Sequence, residues 1–294
     1  MWKAWGEVTW LEAKVPSALQ FSQTTPVKVK LAICPIRPTT PTTPLPNNGQ
    51  SWVLGDLPEL ASPQEVNGFV TAKRVEEHLA GRHLLCQMLL DWGIEDLSAL
   101  EITRDDKRAP SLEWIEGTFK THSLPNISIG HSGDWAIVAL VNHDWFIGVD
   151  AEPADRIISP SAFPMMAKGD ELDKLITTPN SAILRWTVKE AVQKCMRMGM
   201  HLNPRDIVLH IESSIEHFEA KFLIEKSIIQ LISWINSGQQ ISLALREYIP
   251  PPRNSLDKLL AKSAEEMKNY VQVGEDGSKE YSFGVGCSTT RHSQ

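Results

Sequence analysis

Residues 126–150 read NISIGHSGDWAIVALVNHDWFIGVD, and the fold class turns on this stretch. Two apolar runs, 135–141 and 145–149, flank Asn142-His143-Asp144. Apolar runs of strand length around a short polar turn predict a β-hairpin over 134–149. The second run ends in Asp150 and Glu152. Residues i and i+2 of a strand point to one face, so the two carboxylates share a side. Like charges so placed repel unless a cation holds them. Mg²⁺ suits the pair, since it takes oxygen ligands and leaves positions for water and substrate phosphates. Alone, an Asp-x-Glu pair is far more often the solvated end of a strand than a metal site.

Working outward, His131 lies between Gly130 and Ser132, just upstream of the first apolar run. On the other side, residues 183–196 predict a helix that contains Trp186-Thr187-Val188-Lys189-Glu190-Ala191-Val192-Gln193-Lys194. Glu190 and Lys194 are i and i+4 and share a face; in isolation this is an intrahelical ion pair. Upstream, Ser62, Pro63 and Glu65 form a helix start, with Ser as cap and Pro at the first helical position. A stripe from Val66 to Leu89 predicts one long helix over 63–92, stopped at Gly93. Its polar side carries Lys73, Arg74 and Arg82. Arg74 and Arg82 lie a little over two turns apart, so both are expected to emerge on one broad face.

The remaining segments are simpler. Residues 28–36 predict a strand, and 38–50 (PTTPTTPLPNNGQ) an extended loop or linker. Residues 172–175 predict a helix, while 207–210, 220–224, 228–235 and 241–245 predict strands, with Asn236-Ser237-Gly238 as a turn. After Pro250-Pro251-Pro252, residues 256–271 predict an amphipathic helix, followed by a polar, frayed tail.

The chain has 294 residues, with 29 Lys+Arg against 36 Asp+Glu and a net charge of −7; 42% of residues are hydrophobic. These are the proportions of a globular protein, and they exclude disorder of the whole chain. The acidic balance argues against a dedicated nucleic-acid binder, which needs a cationic footprint. Cys34, Cys86, Cys195 and Cys287 are far apart, with no zinc-ligand spacing and no disulfide framework, so reduced thiols and a cytoplasmic location are expected. The N-terminal stretch lacks the apolar region of a signal peptide. No apolar run reaches the roughly 20 residues of a membrane span.

In chain order the sequence presents KRVEEHLAGR, NISIGHS, IGVDAEP and WTVKEAVQK. Together these resemble the 4′-phosphopantetheinyl transferase superfamily of the Sfp type, most closely its enterobactin-synthetase-component-D-like branch, over roughly residues 65–215. The resemblance implies transfer of the 4′-phosphopantetheine arm of coenzyme A to a serine of an apo acyl or peptidyl carrier protein, with release of adenosine 3′,5′-bisphosphate. It implies Mg²⁺ on Asp150, Glu152 and Glu190. Glu190 would be the general base and Lys194 would serve the departing bisphosphate. Lys73, Arg74, Arg82, His131 and Lys189 would contact coenzyme A phosphates, with Lys107 a further candidate. Gly130 stands where the family usually has Ser, and Arg108-Ala109-Pro110 where it has Gly-Lys-Pro.

The fold so implied is α+β: two similar halves, a pseudodimer with the active site in the cleft between them, hence a monomer. The divisions are 1–50 (strand and linker), 51–141 (first half), 142–250 (second half) and 251–294 (C-terminal helix and tail). Two alternatives stand beside this reading. One is a weakened homologue that binds coenzyme A or a carrier without transfer. The other is a different Mg²⁺-dependent phosphodiester enzyme on the same carboxylates.

Overall fold

The computed structural model describes residues 7–15, 27–36, 57–117, 123–209, 217–224, 227–248, 271–273 and 279–281. The chain divides into two compact units, residues 1–248 and 249–294. The first runs β1 (Thr9–Leu11), β2 (Val29–Pro35), α1 (Pro63–Asn67), α2 (Ala72–Trp92), β3 (Leu100–Arg104), β4 (Pro110–Trp114), β5 (Asn126–Ser132), β6 (Trp135–Val141) and β7 (Trp145–Pro153). It continues with α3 (Phe163–Met166), α4 (Asp170–Thr177), α5 (Ala182–Cys195), β8 (His217–Ile224), β9 (Ser227–Asn236) and β10 (Gln239–Glu247). The second unit contributes an antiparallel pair, β11 (Val271–Val273) and β12 (Lys279–Tyr281). The class is α+β, as expected.

Two antiparallel four-stranded sheets build the first unit, with orders β1-β2-β6-β5 and β7-β10-β9-β8; β3 and β4 form a separate ribbon. Strand periodicity decides the layers. On the first sheet, Leu31, Ile33, Ile137, Ala139 and Val141 pack against Ile147, Val149, Ile232, Trp234, Ile241 and Leu243 of the second. The alternate residues Ala32, Cys34, Ala136, Val138 and Leu140 pack against Leu84, Leu85, Met88 and Leu89 of α2. On the far side, Leu231 and Ala244 pack against Val188, Ala191 and Val192 of α5. The order is therefore helix, sheet, sheet, helix. Each fully buried Leu, Ile or Val contributes about 1.5–3 kcal/mol of burial free energy.

Gly148 shows how closely α5 lies on β7. A Cβ there would stand 1.9 Å from the Ala191 carbonyl oxygen and 2.4 Å from the Cys195 nitrogen. Only glycine permits this backbone approach, which brings the α5 side chains down to the end of β7. A buried ionic cluster fixes the same helix from the side. The Lys189 ammonium donates to Glu171 Oε2 at 2.9 Å, Met166 O at 2.7 Å and Pro204 O at 3.0 Å. Arg185 Nη1 donates to Glu171 Oε1 at 3.3 Å and Leu209 O at 3.0 Å. These bonds tie α3, α4 and residues 204–209 to α5.

Three sequence expectations are corrected. The single helix over 63–92 is two helices. Gly68 closes α1, with its N–H reaching Glu65 O and Val66 O, and Thr71 in extended conformation caps α2 by accepting from the Arg74 N–H. The apolar stripe runs on across this break because Val66, Val75, Leu79 and Phe69 meet in one cluster. The expected hairpin of 134–149 is displaced by one strand: β5 and β6 pair, while β7 crosses to the second sheet. The polar turn serves that crossing, since Lys28 N donates to Asn142 Oδ1 and Asn142 N to Lys28 O. Residues 207–209 are not a strand, although Ile207 and Leu209 are buried and Val208 is exposed. The alternation is real, but α5 receives the apolar side and no ladder forms.

The other expectations hold: the strand over 28–36 is β2, the helices over 172–175 and 183–196 are α4 and α5, and the strands over 220–224, 228–235 and 241–245 are β8, β9 and β10. The turn after β9 has Ser237 and Gly238 both at positive φ, as a two-residue hairpin turn requires. The Pro/Thr-rich stretch 38–50, His210 and residues 256–270 of the expected C-terminal helix lie outside the described residues. Val271, placed at the end of that helix, instead opens β11.

Candidate active site

Where β5, β7 and α5 meet, a cleft of about 520 Å³ opens, lined by Gly130, His131, Asp150, Glu152, Glu190 and Lys194 among others. Asp150 and Glu152 stand on the α5-facing side of β7, the side cleared by Gly148. The Lys194 ammonium, from the last turn of α5, donates to Asp150 Oδ1 at 2.7 Å and to Val149 O at 3.0 Å. Asp150 Oδ2 is buried and has no hydrogen-bond partner among the described residues. Burial pushes the Asp150 carboxyl up to about 7; the nearby Glu190 and Glu152 push the same way and Lys194 opposes. Glu152 accepts from the Ser132 hydroxyl, and from Arg156 Nη1 at 2.6 Å.

Gly130 has a positive reason to lack a side chain. A Cβ there would stand 3.1 Å from Lys194 Nζ and 3.4 Å from Val149 O, crowding the bond between them. His131 points toward α2: a Cβ on Gly81 would lie 2.9 Å from its Nε2. That nitrogen is buried and unpartnered among the described residues. Burial, reinforced by the charges of Arg74 and Lys194, pushes the His131 imidazole down to about 3, so it is neutral near pH 7.

A cationic cluster adjoins this wall. Arg74, His78 and Arg82 follow one another at i, i+4 and i+8 along α2. Arg82 is only 3% exposed, so it shares a helix face with Arg74, as expected, but does not emerge to solvent there. Its Nη2 lies 3.4 Å from Glu65 Oε2, and Arg104 Nη2 lies 2.7 Å from Glu65 Oε1. Burial lowers Arg82 to about 10 and His78 to about 4. Arg74 pairs with Glu77 at 3.3 Å, and Lys73, more exposed, lies 3.8 Å from the same carboxylate.

One expected phosphate contact, Lys189, is placed elsewhere. Lys189 is fully buried, its three protons all engaged in the ionic cluster beneath the cleft wall, so it has none to offer a phosphate. Lys107 lines a smaller cavity of about 140 Å³ with Arg108, Arg197 and Lys194. Sequence reasoning passed over Ser132, Arg156, His78, Arg104 and, as a partner of the cations, Glu65. His78 was legible as the residue one turn from both arginines, and Arg156 as the i+4 neighbour of Glu152. Arg104 was not legible, because only the fold brings the β3–β4 ribbon to α1.

The carboxylates and Lys194 place acidic and basic groups side by side on one cleft wall. The donor set is all oxygen, and Asp150 Oδ2 lacks a partner, which fits Mg²⁺. As they stand, Asp150 is engaged by Lys194 and Glu152 by Arg156. Among the described residues no three acidic, histidine or cysteine side chains are gathered to enclose a metal ion. Binding there would require these cations to yield. Among the described residues no helix is long and apolar enough to cross a membrane.

Residues 146–246 match a family model described as the 4′-phosphopantetheinyl transferase superfamily. The match spans β7, α5 and the second sheet, and so includes Asp150, Glu152, Glu190 and Lys194. The first sheet, α2 and His131 lie outside it. No curated protein matches the chain.

Proposed function

We propose that the chain transfers the 4′-phosphopantetheine moiety of coenzyme A to a serine of an apo acyl or peptidyl carrier protein, in a Mg²⁺-dependent reaction that releases adenosine 3′,5′-bisphosphate. The observation that carries this reading is the convergence of Asp150, Glu152, Glu190 and Lys194 on one cleft, inside the segment similar to the transferase superfamily. We read the two helix-covered sheets as a pseudo-repeat, which makes the working unit a single chain of the branch resembling enterobactin synthetase component D.

Asp150, Glu152 and Glu190 would hold Mg²⁺, which when bound neutralises charge on the pyrophosphate. Glu190 takes the proton of the carrier serine hydroxyl, whose oxygen forms the new bond to the phosphorus bearing pantetheine. The anhydride bond to the nucleotide phosphate breaks, and Lys194 stabilises the charge on the departing oxygen. His131, which lines the cleft, would contact a phosphate of coenzyme A. Lys73 and Arg74, on α2, would supply further positive charge.

Mass spectrometry of apo carriers incubated with the chain, Mg²⁺ and coenzyme A tests the reading. The expected result is a phosphopantetheine adduct that vanishes with EDTA and falls at least about 100-fold in rate with Glu190→Gln. Absence of an adduct on fatty-acid, polyketide and peptide carriers alike would sink it. The retained pairs Asp150–Lys194 and Glu152–Arg156 favour a second reading, a coenzyme A binder that does not transfer. Coenzyme A binding unaffected by Mg²⁺ and by Glu190→Gln would select it.

A further inference from the structure

Arg82 is a buried guanidinium with too few partners. Its Nε has no hydrogen bond among the described residues, and its single ionic contact, to Glu65, is 3.4 Å long. Charge-assisted bonds run about 2.7–2.9 Å, so this contact is loose. His78 repeats the pattern: it is 5% exposed, its Nε2 is unpartnered among the described residues, and it lies 3.7 Å from the same Glu65 oxygen. Arg104 makes the one short bond, at 2.7 Å, to the other oxygen. Buried polar atoms in native proteins are nearly always satisfied, so exceptions clustered around one point leave donors open to another occupant.

Charge identifies the occupant. Two guanidiniums around one carboxylate leave an unmatched positive charge, with Arg74 close by on the same helix face. A phosphate dianion would match both guanidiniums and offers three acceptor oxygens to the orphaned donors. The Glu65 side chain is about 30% exposed, so its carboxylate can turn outward to water. Its neighbour Val66, 1% exposed, stays anchored in the apolar cluster. Rotation of one side chain is therefore enough, and α1 itself need not move.

We propose that Glu65 is an internal stand-in for a phosphate group: it occupies an anion site made by Arg82, Arg104 and His78, and must leave before a phosphate of the substrate enters. This deepens the transferase reading and rests on it for the nature of the substrate. Glu65 then does two things. It compensates buried positive charge in the empty protein, and it competes with any entering anion. Arg104 and His78 become binding residues alongside Arg82.

The test uses the full chain and two probes, adenosine 3′,5′-bisphosphate and inorganic phosphate, titrated calorimetrically at pH 8. Glu65→Gln keeps the side chain's size and removes its charge. Both probes are expected to bind this variant about three- to tenfold more tightly, because the competing internal state is gone. Adding Arg104→Gln should reverse the gain. Phosphate binding that is unchanged or weaker in Glu65→Gln overturns the proposal. A gain for phosphate, with no variant binding the bisphosphate, upholds the anion site and sinks the transferase reading instead. Should circular dichroism show Glu65→Gln unfolded, Glu65→Asp replaces it: one methylene shorter, it should strengthen phosphate binding too, and failure to do so overturns the proposal.

Discussion

Asp150 is held in a place hostile to its own charge. Its carboxyl is raised from 3.8 to about 7, chiefly by burial. An acid whose native value is raised keeps its proton more tightly in the folded protein than in the unfolded chain. The stability this provides is whole below the unfolded value and is lost as pH rises through the native one. Over that window the loss amounts to about 2–4 kcal/mol, at 1.36 kcal/mol per pH unit. Asp150→Asn should remove it. In EDTA, the variant's stability relative to wild type should rise by that amount between about pH 4 and pH 8. Denaturant titrations at the two pH values check this, and parallel behaviour of the two proteins would refute it.

At the scale of elements, the contact between β7 and α5 governs the site. Gly148→Ala would drive a methyl into the Ala191 carbonyl, and the helix backbone cannot step aside as a side chain can. The expected loss is about 3 kcal/mol or more. Loss of Lys194-dependent chemistry should follow in whatever fraction still folds. Thermal melts with activity assays read both; a variant as stable as wild type would show that the helix does not sit so close. Lys189 acts on the same contact from below. Lys189→Ala leaves Glu171 with Arg185 alone and frees two buried carbonyls, and should cost about 3–5 kcal/mol. If Lys189 instead met phosphate, the variant would melt normally and bind coenzyme A weakly.

These elements also show what could be read beforehand. The helix that carries Glu190 and Lys194 was legible, since its period and motif agree. So were the strands that supply the core, since their alternation reports burial directly. The break at 68–71 was hidden because its apolar residues rejoin the same cluster. The sheet assignment of β7 was hidden because periodicity fixes a strand's two faces but not its partner. Lys189 looked like a site residue by position, and only the packing of α3, α4 and residues 204–209 shows where its protons go.

Over the whole first unit, a net charge of −7 for the chain coexists with cations gathered at two points. One is the Glu65 cluster of Arg82 and Arg104; the other is the carboxylate pair held by Lys194 and Arg156. The second lines a cleft whose walls come from different sheets: His131 from the first, Asp150 and Glu190 with the second. Its geometry therefore depends on the two sheets not sliding, and the core they share is a broad connection between them. Ile137 and Leu243, on opposite sheets, belong to that one cluster with Trp145 and Trp234. Ile137→Ala and Leu243→Ala should each cost about 2–5 kcal/mol. Because the cluster is common property, each should shift one cooperative transition, seen alike by tryptophan fluorescence and far-ultraviolet circular dichroism. If the sheets were independent, each variant would lower one of two transitions and leave the other in place. The cleft would then have to be assembled by its occupant rather than by the fold.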